Sequence, residues 1–271
     1  MKLCGHVVDP TGRFFLIAGP CVIESRDLVL RTAERLTEIA ARLGLFFIFK
    51  SSYDKANRSS ITSFRGPGID AGLAILDEVR RQFGVPVTTD VHSVEEIGIA
   101  AGAVDVIQIP AFLCRQTDML IAAGRSGAAV NVKKGQFVAP SDVAPIVEKL
   151  TASGCESYGI IERGYTFGYN NLVVDMRSFA IMRAMGVPVI FDATHSTQLP
   201  GGGTQSGGER DYAPLLARSA VAAGVDGLFM EVHPCPDEAL CDATNQYYLD
   251  RVEPLLATLI EIDRLAKGTG G

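Results

Sequence analysis

The sequence predicts an α/β protein whose core is a (β/α)8 barrel, or TIM barrel, preceded by a β-hairpin. Short apolar runs alternate with amphipathic stretches eight times, and a glycine follows most of the amphipathic stretches. Alternating strands and helices indicate a parallel sheet. Eight such units in 271 residues are typical of the barrel. We therefore expect one barrel domain that spans residues 1–271.

Residues 1–13 are predicted to form the hairpin, because the turn signal Asp9-Pro10-Thr11-Gly12 separates short apolar segments. The barrel strands that follow are short, apolar and rich in β-branched and aromatic residues, as strands buried on both faces are. We assign them to residues 14–18, 46–49, 85–89, 104–109, 128–132, 158–161, 187–192 and 227–230.

The predicted helices show the helical period of 3.6 residues. Between Asp27 and Gly44, apolar residues at positions 29, 33, 36, 40 and 43 fall on one stripe. Glycines at positions 44, 84, 102, 127, 154, 186 and 224 stand where a helix should stop, as a C′ glycine does. A last helix is predicted near residues 254–267, and residues 267–271 are expected to be a loose tail.

A doubly wound open sheet is the alternative fold. Such a sheet usually carries a glycine-rich phosphate loop after an early strand. Here the first strand leads into Ala18-Gly19-Pro20-Cys21, with neither a G-x-G-x-x-G nor a Walker A pattern. The sequence therefore favours the barrel.

Composition excludes several classes of function. The net charge is −6 and the pI about 5.3, so nucleic acid and anionic membranes are poor partners. No run of 18 apolar residues predicts a membrane span, and the N-terminus lacks the apolar core of a signal peptide, so we expect a cytoplasmic protein. The six cysteines show no paired ligand spacing and are expected to be mostly free thiols.

Polar side chains follow every predicted strand. Because the carboxyl ends of barrel strands share one rim, these side chains are expected to converge. The cations and amides suit phosphate and carboxylate oxygens. Lys134 and Glu162 are expected to face outward or to pair with neighbours. The candidates for the site itself are Cys21, Lys50, Lys55, Asn57, Arg58, Ser59, Asp90, Gln108, Arg115, Lys133, Arg163, His195, Glu231 and Asp242.

Four of these side chains would suit a metal ion if they converge, namely Cys21, His195, Glu231 and Asp242. One thiolate, one imidazole and two carboxylates form a donor set of intermediate softness, which favours Mn²⁺, Fe²⁺, Zn²⁺ or Co²⁺ over Mg²⁺. The four residues are spread over the whole chain, so spacing alone is weak support for this site.

These residues lie in motifs that resemble a known family, 3-deoxy-D-manno-octulosonate 8-phosphate synthase. The most specific motif is KSSYDKANRSS at residues 50–60, and the resemblance extends from about residue 14 to 265. Supporting motifs are AGPC (18–21), TDVH (89–92), IPAFLCRQ (109–116), VNVKKGQ (130–136), DATHS (192–196) and FMEVHP (229–234).

The resemblance implies condensation of phosphoenolpyruvate with D-arabinose 5-phosphate and water, a step of Kdo and lipopolysaccharide biosynthesis, in a homotetramer. It implies that phosphoenolpyruvate is held by Lys50, Lys55, Gln108, Lys133 and Arg163. It implies that the sugar phosphate is held by Asn57, Arg58 and Ser59, with Arg115 reaching in from a neighbouring subunit and Asp90 near the sugar. We expect the catalytic set to be Lys55, Asp90, His195 and Cys21.

Members of the resembled family divide by metal use at the position of Cys21. Metal-independent members carry Asn there, whereas metal-dependent members carry Cys. The resemblance therefore implies a metal-dependent enzyme with Cys21, His195, Glu231 and Asp242 as ligands.

Two rival functions remain. A 3-deoxy-D-arabino-heptulosonate 7-phosphate synthase would share the barrel and the metal set but take erythrose 4-phosphate, and the KANRSS loop argues against it. A non-catalytic sugar-phosphate sensor would need neither a metal nor a second anion site.

Overall fold

The computed structural model describes residues 1–58, 60–201 and 207–268. Its centre is a closed barrel of eight parallel strands, which confirms the predicted fold class. The barrel strands are β1 (Phe15–Gly19), β2 (Phe47–Lys50), β3 (Val87–Asp90), β4 (Val106–Ile109), β5 (Ala129–Lys133), β6 (Tyr158–Glu162), β7 (Val189–Asp192) and β8 (Gly227–His233).

Each barrel strand pairs with its neighbours in sequence order, and β8 closes the barrel against β1. In that last pairing Phe229 lies opposite Ile17 and Glu231 opposite Gly19. Since all eight strands are parallel, their carboxyl ends lie at the same end of the barrel. Strands four places apart, such as β2 and β6, lie on opposite sides of it.

Within the residues that the structure describes, eight α-helices surround the strands. They are α1 (Arg26–Leu43), α2 (Ile69–Phe83), α3 (Val94–Ala100), α4 (Thr117–Arg125), α5 (Ala144–Ala152), α6 (Arg177–Arg183), α7 (Ala213–Ala222) and α8 (Val252–Ala266). None of these described helices is both long and apolar enough to cross a membrane.

Helix α1 shows why the sequence pattern locates helices well. Ser25 caps its start by accepting a hydrogen bond from the Leu28 amide at 3.2 Å. Gly44 ends it in the left-handed region, at φ 63°. Helix α3 also ends just before its predicted glycine, at Ala100 with Ala101 as the cap, but Gly102 does not adopt the left-handed conformation.

Alternation along the strands divides the core in two. In β1, Phe15 and Ile17 belong to a cluster inside the barrel, whereas Leu16 and Ala18 pack in the layer between strands and helices. Both sets are buried. This is why the strands are apolar throughout rather than at every second residue.

The N-terminal hairpin is present, but its predicted turn is wrong. The two-residue strands Lys2–Leu3 and His6–Val7 pair around Cys4 and Gly5, whose φ values of 48° and 80° fit a two-residue hairpin turn. Leu3 and Val8 pack on the barrel's inner cluster. The segment Asp9–Gly12 does form a turn, with the Gly12 amide donating to the Asp9 carbonyl at 2.9 Å, but it leads into β1.

The tail starts later than predicted. Lys267 donates to the Gly12 and Val225 carbonyls at 2.9 and 3.0 Å and pairs with Asp263 at 2.9 Å. Residues 269–271 of the predicted tail lie outside the described residues.

Gly19 ends β1 at a point where the backbone of β2 leaves no room for a side chain. A Cβ atom there would lie 2.0 Å from the Lys50 carbonyl oxygen. We therefore expect Gly19→Ala to lower the free energy of unfolding by about 1–3 kcal/mol or more, as overpacking does. Gly98, in α3, has nothing within 4 Å of such a Cβ, so Gly98→Ala should stabilise by up to about 1 kcal/mol. Urea unfolding of both variants measures this, and equal shifts would contradict the packing argument.

Candidate active site

The carboxyl ends of the strands surround a cavity of about 510 Å³. Its size suits small-molecule ligands. Phe112, Gln136 and Gln198 also line it, and sequence reasoning did not assign them to the site. The predicted site residues that line it are Lys55, Asn57, Arg58, Asp90, Lys133, Arg163, His195 and Asp242.

Glu231 and Asp90 belong to an ion-pair network at the base of the cavity. Lys50 donates a hydrogen bond to Glu231 Oε1, and Lys55 Nζ lies 3.4 Å from the same oxygen and 4.0 Å from Asp90 Oδ2. Burial raises the pKa of Glu231, but the charges of His195 and the two lysines outweigh it and hold that pKa well below its usual value. Glu231 is therefore a carboxylate at neutral pH.

Asp90 is also held as a carboxylate. Burial raises its pKa, but the lysines at positions 50 and 55 outweigh this and leave the pKa below its usual value. The Ser52 hydroxyl and the Gln108 side-chain amide each donate to one of its oxygens. The carboxylate is thus fixed in place at the end of β3.

Asp192, at the end of β7, orients two site residues at once. Its Oδ1 accepts a hydrogen bond from the backbone amide of His195 at 2.8 Å. Its Oδ2 lies 2.8 Å from His195 Nδ1 and 2.8 Å from Lys133 Nζ. With Nδ1 directed at the carboxylate, His195 Nε2 is turned toward Glu231 Oε2, 3.5 Å away. Nε2 is therefore the imidazole nitrogen that can hold a ligand.

Arg163, which follows β6, is a buried cation with an unused donor. Its side chain donates to the Gln198 amide oxygen, and the residue is only 4% exposed. Its Nη1 is buried without a hydrogen-bond partner among the described residues. Burial lowers the pKa of the guanidinium, yet arginine stays charged in proteins. A buried unpaired donor costs about 1–3 kcal/mol or more, so this nitrogen indicates a site for an anionic ligand.

Five predicted site residues that the structure describes do not line the cavity, namely Cys21, Lys50, Gln108, Arg115 and Glu231. Lys50 and Gln108 are fully buried and do not line the cavity, so they act on it from beneath, through Glu231 and Asp90. Arg115 is exposed and outside the cavity lining. Ser59 lies outside the described residues.

Lys134 and Glu162 pair with each other away from the cavity, one of the two arrangements expected from the sequence. Lys134 Nζ lies 3.5 Å from Glu162 Oε2, and both residues are fully buried. They are the sequence neighbours of Lys133 and Arg163, so the pair holds the ends of β5 and β6 together.

The potential metal ligands form two groups that share Asp242. His195, Glu231 and Asp242 place one ligand atom each within 4.8 Å of one another, and Cys21, Cys241 and Asp242 do the same. Within the described residues, no single group of this kind holds all four predicted ligands. Asp242 occupies the left-handed region, at φ 46°, which aspartate tolerates better than most residues.

Comparison with known proteins identifies the family. The family model described as "DAHP synthetase I family" matches residues 9–267. The chain is 59% identical to the 2-dehydro-3-deoxyphosphooctonate aldolase of Acidithiobacillus ferrooxidans, over 98% of this chain and 95% of the relative. Aldolases of the same name from Aromatoleum aromaticum and Stenotrophomonas maltophilia are 59% and 58% identical, over 100% of this chain and 98% of each relative. The chain belongs to the 2-dehydro-3-deoxyphosphooctonate aldolase family.

The donor atoms that this aldolase family member brings together fit a divalent ion. Ligands about 2.0–2.3 Å from one ion lie no more than about 4.6 Å apart, and the ligand atoms of each group all lie within 4.8 Å of one another. Burial raises the pKa of the Cys21 thiol well above its usual value, and Cys241 and Glu231 raise it further. A bound cation would offset this cost, since metal binding displaces the thiol proton.

Cys241 is a further residue of the aldolase's site that the sequence did not assign to it. Its sulfur lies 2.7 Å from the sulfur of Cys21, although 220 positions separate the two in the chain. Gln246 joins their backbones: it accepts from the Cys21 amide at 3.1 Å and donates to the Cys241 carbonyl at 2.8 Å. The sequence could not reveal this contact, because it depends on how the loop after β8 folds back over β1.

Proposed function

We propose that this protein condenses phosphoenolpyruvate with D-arabinose 5-phosphate and water to give 3-deoxy-D-manno-octulosonate 8-phosphate and inorganic phosphate. The names of its relatives support this acceptor over erythrose 4-phosphate, the acceptor of the rival synthase. The observation that carries the proposal is a single cavity with cationic groups on opposite sides. Arg163 follows β6, and Arg58 lies in the loop after β2.

Phosphoenolpyruvate is assigned to the β5–β6 side. Lys133 and Arg163 line the cavity there, and Arg163 has the unused buried nitrogen. Lys55 reaches the same cavity from the β2 loop, while Lys50 and Gln108 support it from beneath. Charge-assisted hydrogen bonds from these groups suit the phosphate and carboxylate of this substrate.

The sugar phosphate is assigned to the β2 side, where Asn57 and Arg58 line the cavity. Arg58 Nη1 lies 3.6 Å from Asp242 Oδ1. At this distance the carboxylate neutralises the guanidinium charge only in part, so the guanidinium can also bind a phosphate. Ser59 is proposed to join them. The exposed Arg115 is proposed to reach the sugar site of a neighbouring subunit in a homotetramer, as the family resemblance implies. The six free thiols are compatible with the proposed cytoplasmic setting, where the product would serve Kdo and lipopolysaccharide synthesis.

The chain's own residues bring C3 of phosphoenolpyruvate next to the aldehyde carbon of the sugar. A carbon–carbon bond forms between them, water adds to C2, and the C2 phosphate group leaves. Holding both reactants in one cavity supplies much of the acceleration, and the lysines and arginines offset repulsion between two anions. Asp90, a carboxylate held by Ser52 and Gln108, is the group placed to accept a proton, while His195 would act through its ligand nitrogen Nε2. A divalent ion bound by Cys21, His195, Glu231 and Asp242 would supply Lewis-acid chemistry.

The acceptor preference tests the proposal. We expect kcat/KM for D-arabinose 5-phosphate to exceed that for erythrose 4-phosphate by roughly 100-fold or more, because a site built to hydrogen-bond a hydroxyl rejects an analogue that lacks it. Phosphate release is measured with phosphoenolpyruvate and each sugar, with a reaction lacking sugar as the blank. Equal values, or a preference for the four-carbon sugar, would overturn the assignment.

A further inference from the structure

The loop after β8 brings a second thiol to the centre. Cys21 and Cys241 are 0% and 1% exposed, and their sulfurs lie 2.7 Å apart. Cys21 Sγ also lies 3.4 Å from Asp242 Oδ2. Two sulfurs and a carboxylate oxygen thus converge, all within 4.8 Å of one another.

The surroundings hold Cys241 in this position. The Gln246 side chain bridges the backbones of the two cysteines. Glu24, just after β1, accepts a hydrogen bond from the Leu240 amide at 2.9 Å. Arg58 Nη1 donates to Cys241 Sγ at 2.9 Å, so this sulfur already acts as an acceptor in the protein. Hydrogen bonds from such outer groups orient and tune metal ligands.

We propose that Cys241 is a second sulfur ligand of the metal centre, and that Cys21, Cys241 and Asp242 together bind thiophilic ions such as Cd²⁺ and Zn²⁺. This inference rests on the metal-dependent assignment made under the proposed function. Two sulfurs on one ion lie about 3.7 Å apart, so binding would separate them by about 1 Å from their present distance.

Asp242 belongs to both ligand groups, which has a consequence for metal choice. An ion bound by the two sulfurs would also be bound by Asp242. It would therefore compete for Asp242 with an ion held by His195 and Glu231. Sulfur ligands favour soft ions, whereas imidazole and carboxylate suit harder ones such as Mn²⁺. Cys241 should therefore bias the centre toward Zn²⁺ and Cd²⁺.

Titration with Cd²⁺ tests the proposal without any measurement of turnover. The reduced, metal-stripped protein is titrated while the ultraviolet sulfur-to-metal charge-transfer band is recorded, and Mn²⁺ competition gives relative affinity. Since the band scales with the number of bound sulfurs, Cys241→Ser should show roughly half the wild-type intensity. We expect its Cd²⁺ affinity to fall at least about 10–100-fold, since losing even an outer partner of a metal ligand costs that much. Its Mn²⁺ affinity should change much less.

Cys235→Ser is the matched control, because Cys235 is exposed and belongs to neither ligand group. It should titrate like wild type. Cys241→Ala guards against a serine-specific effect and should match Cys241→Ser. If both Cys241 variants kept the wild-type charge-transfer band and the wild-type Cd²⁺ affinity, the inference would be overturned. The condensation itself is tested separately, by phosphate release from the wild-type protein, so the two failures can be told apart.

Discussion

Cys21→Ala is expected to lower kcat/KM more than about 100-fold, because losing only an outer partner of a metal ligand already costs 10–100-fold. The same reasoning predicts that a chelator abolishes wild-type activity and that added Mn²⁺, Fe²⁺ or Co²⁺ restores it. Rates with and without EDTA, together with metal content by mass spectrometry, measure both effects. Cys235→Ala, at an exposed thiol outside both ligand groups, is the control and should behave like wild type.

Cys21→Asn should behave differently from Cys21→Ala. It supplies the residue that metal-independent members of the resembled family carry, with an amide that can hydrogen-bond water or substrate. We expect measurable turnover that a chelator no longer inhibits. Wild-type enzyme that resists chelation would remove the metal from the mechanism. An Asn variant that still needs metal would show that His195, Glu231 and Asp242 suffice and that Cys21 only tunes the centre.

Arg163→Ala is expected to weaken phosphoenolpyruvate binding by about 1.5–3 kcal/mol, the range for a hydrogen bond to a charged group. The reason is its buried Nη1, which has no partner among the described residues. Arg58→Ala should instead weaken the sugar phosphate. Isothermal titration with each ligand separately gives the two affinities for each variant.

The control for these variants is Arg65→Ala, which removes the same charge from the β2 loop but outside the cavity. Arg65 is exposed and pairs with Asp54, so neither ligand should be affected. Because Arg58 also contacts Cys241 and Asp242, metal content is measured in that variant as well. If both cavity variants lose the same ligand, the division of the cavity between two substrates is wrong.

The sequence was sufficient for the architecture because local patterns determine it. Apolar runs and the helical stripe of α1 depend only on which residues neighbour each other along the chain. Once eight parallel strands close, the residues after them must meet at one rim. That is why eight of the predicted site residues line one cavity.

Contacts between distant segments could not be predicted in this way. Asp192 lies at the end of β7, but its pairing with Lys133, at the end of β5, depends on how β5, β6 and β7 align in the sheet. The sequence gives no paired spacing for Cys241, because its partner Cys21 lies 220 positions away in the chain. The burial of Lys50 beneath Glu231 also depends on tertiary packing. The sequence motif around Lys50 does not reveal whether the lysine is buried or exposed.

The hairpin turn was misplaced for a local reason. Asp9-Pro10-Thr11-Gly12 is a strong turn signal, whereas Cys4-Gly5 is a weak one, because cysteine is seldom found in the left-handed region. Packing of Leu3 and Val8 on the barrel's inner cluster favours the hairpin with the weaker signal.

A crystal structure with Mn²⁺, phosphoenolpyruvate and D-arabinose 5-phosphate would test the central claim most directly. We predict that phosphoenolpyruvate contacts Lys133 and Arg163, that the sugar phosphate lies against Asn57 and Arg58, and that a neighbouring subunit's Arg115 reaches that phosphate. The ion should be held by Cys21, His195, Glu231 and Asp242. Phosphoenolpyruvate on the Arg58 side, or an ion bound away from these ligands, would contradict the account.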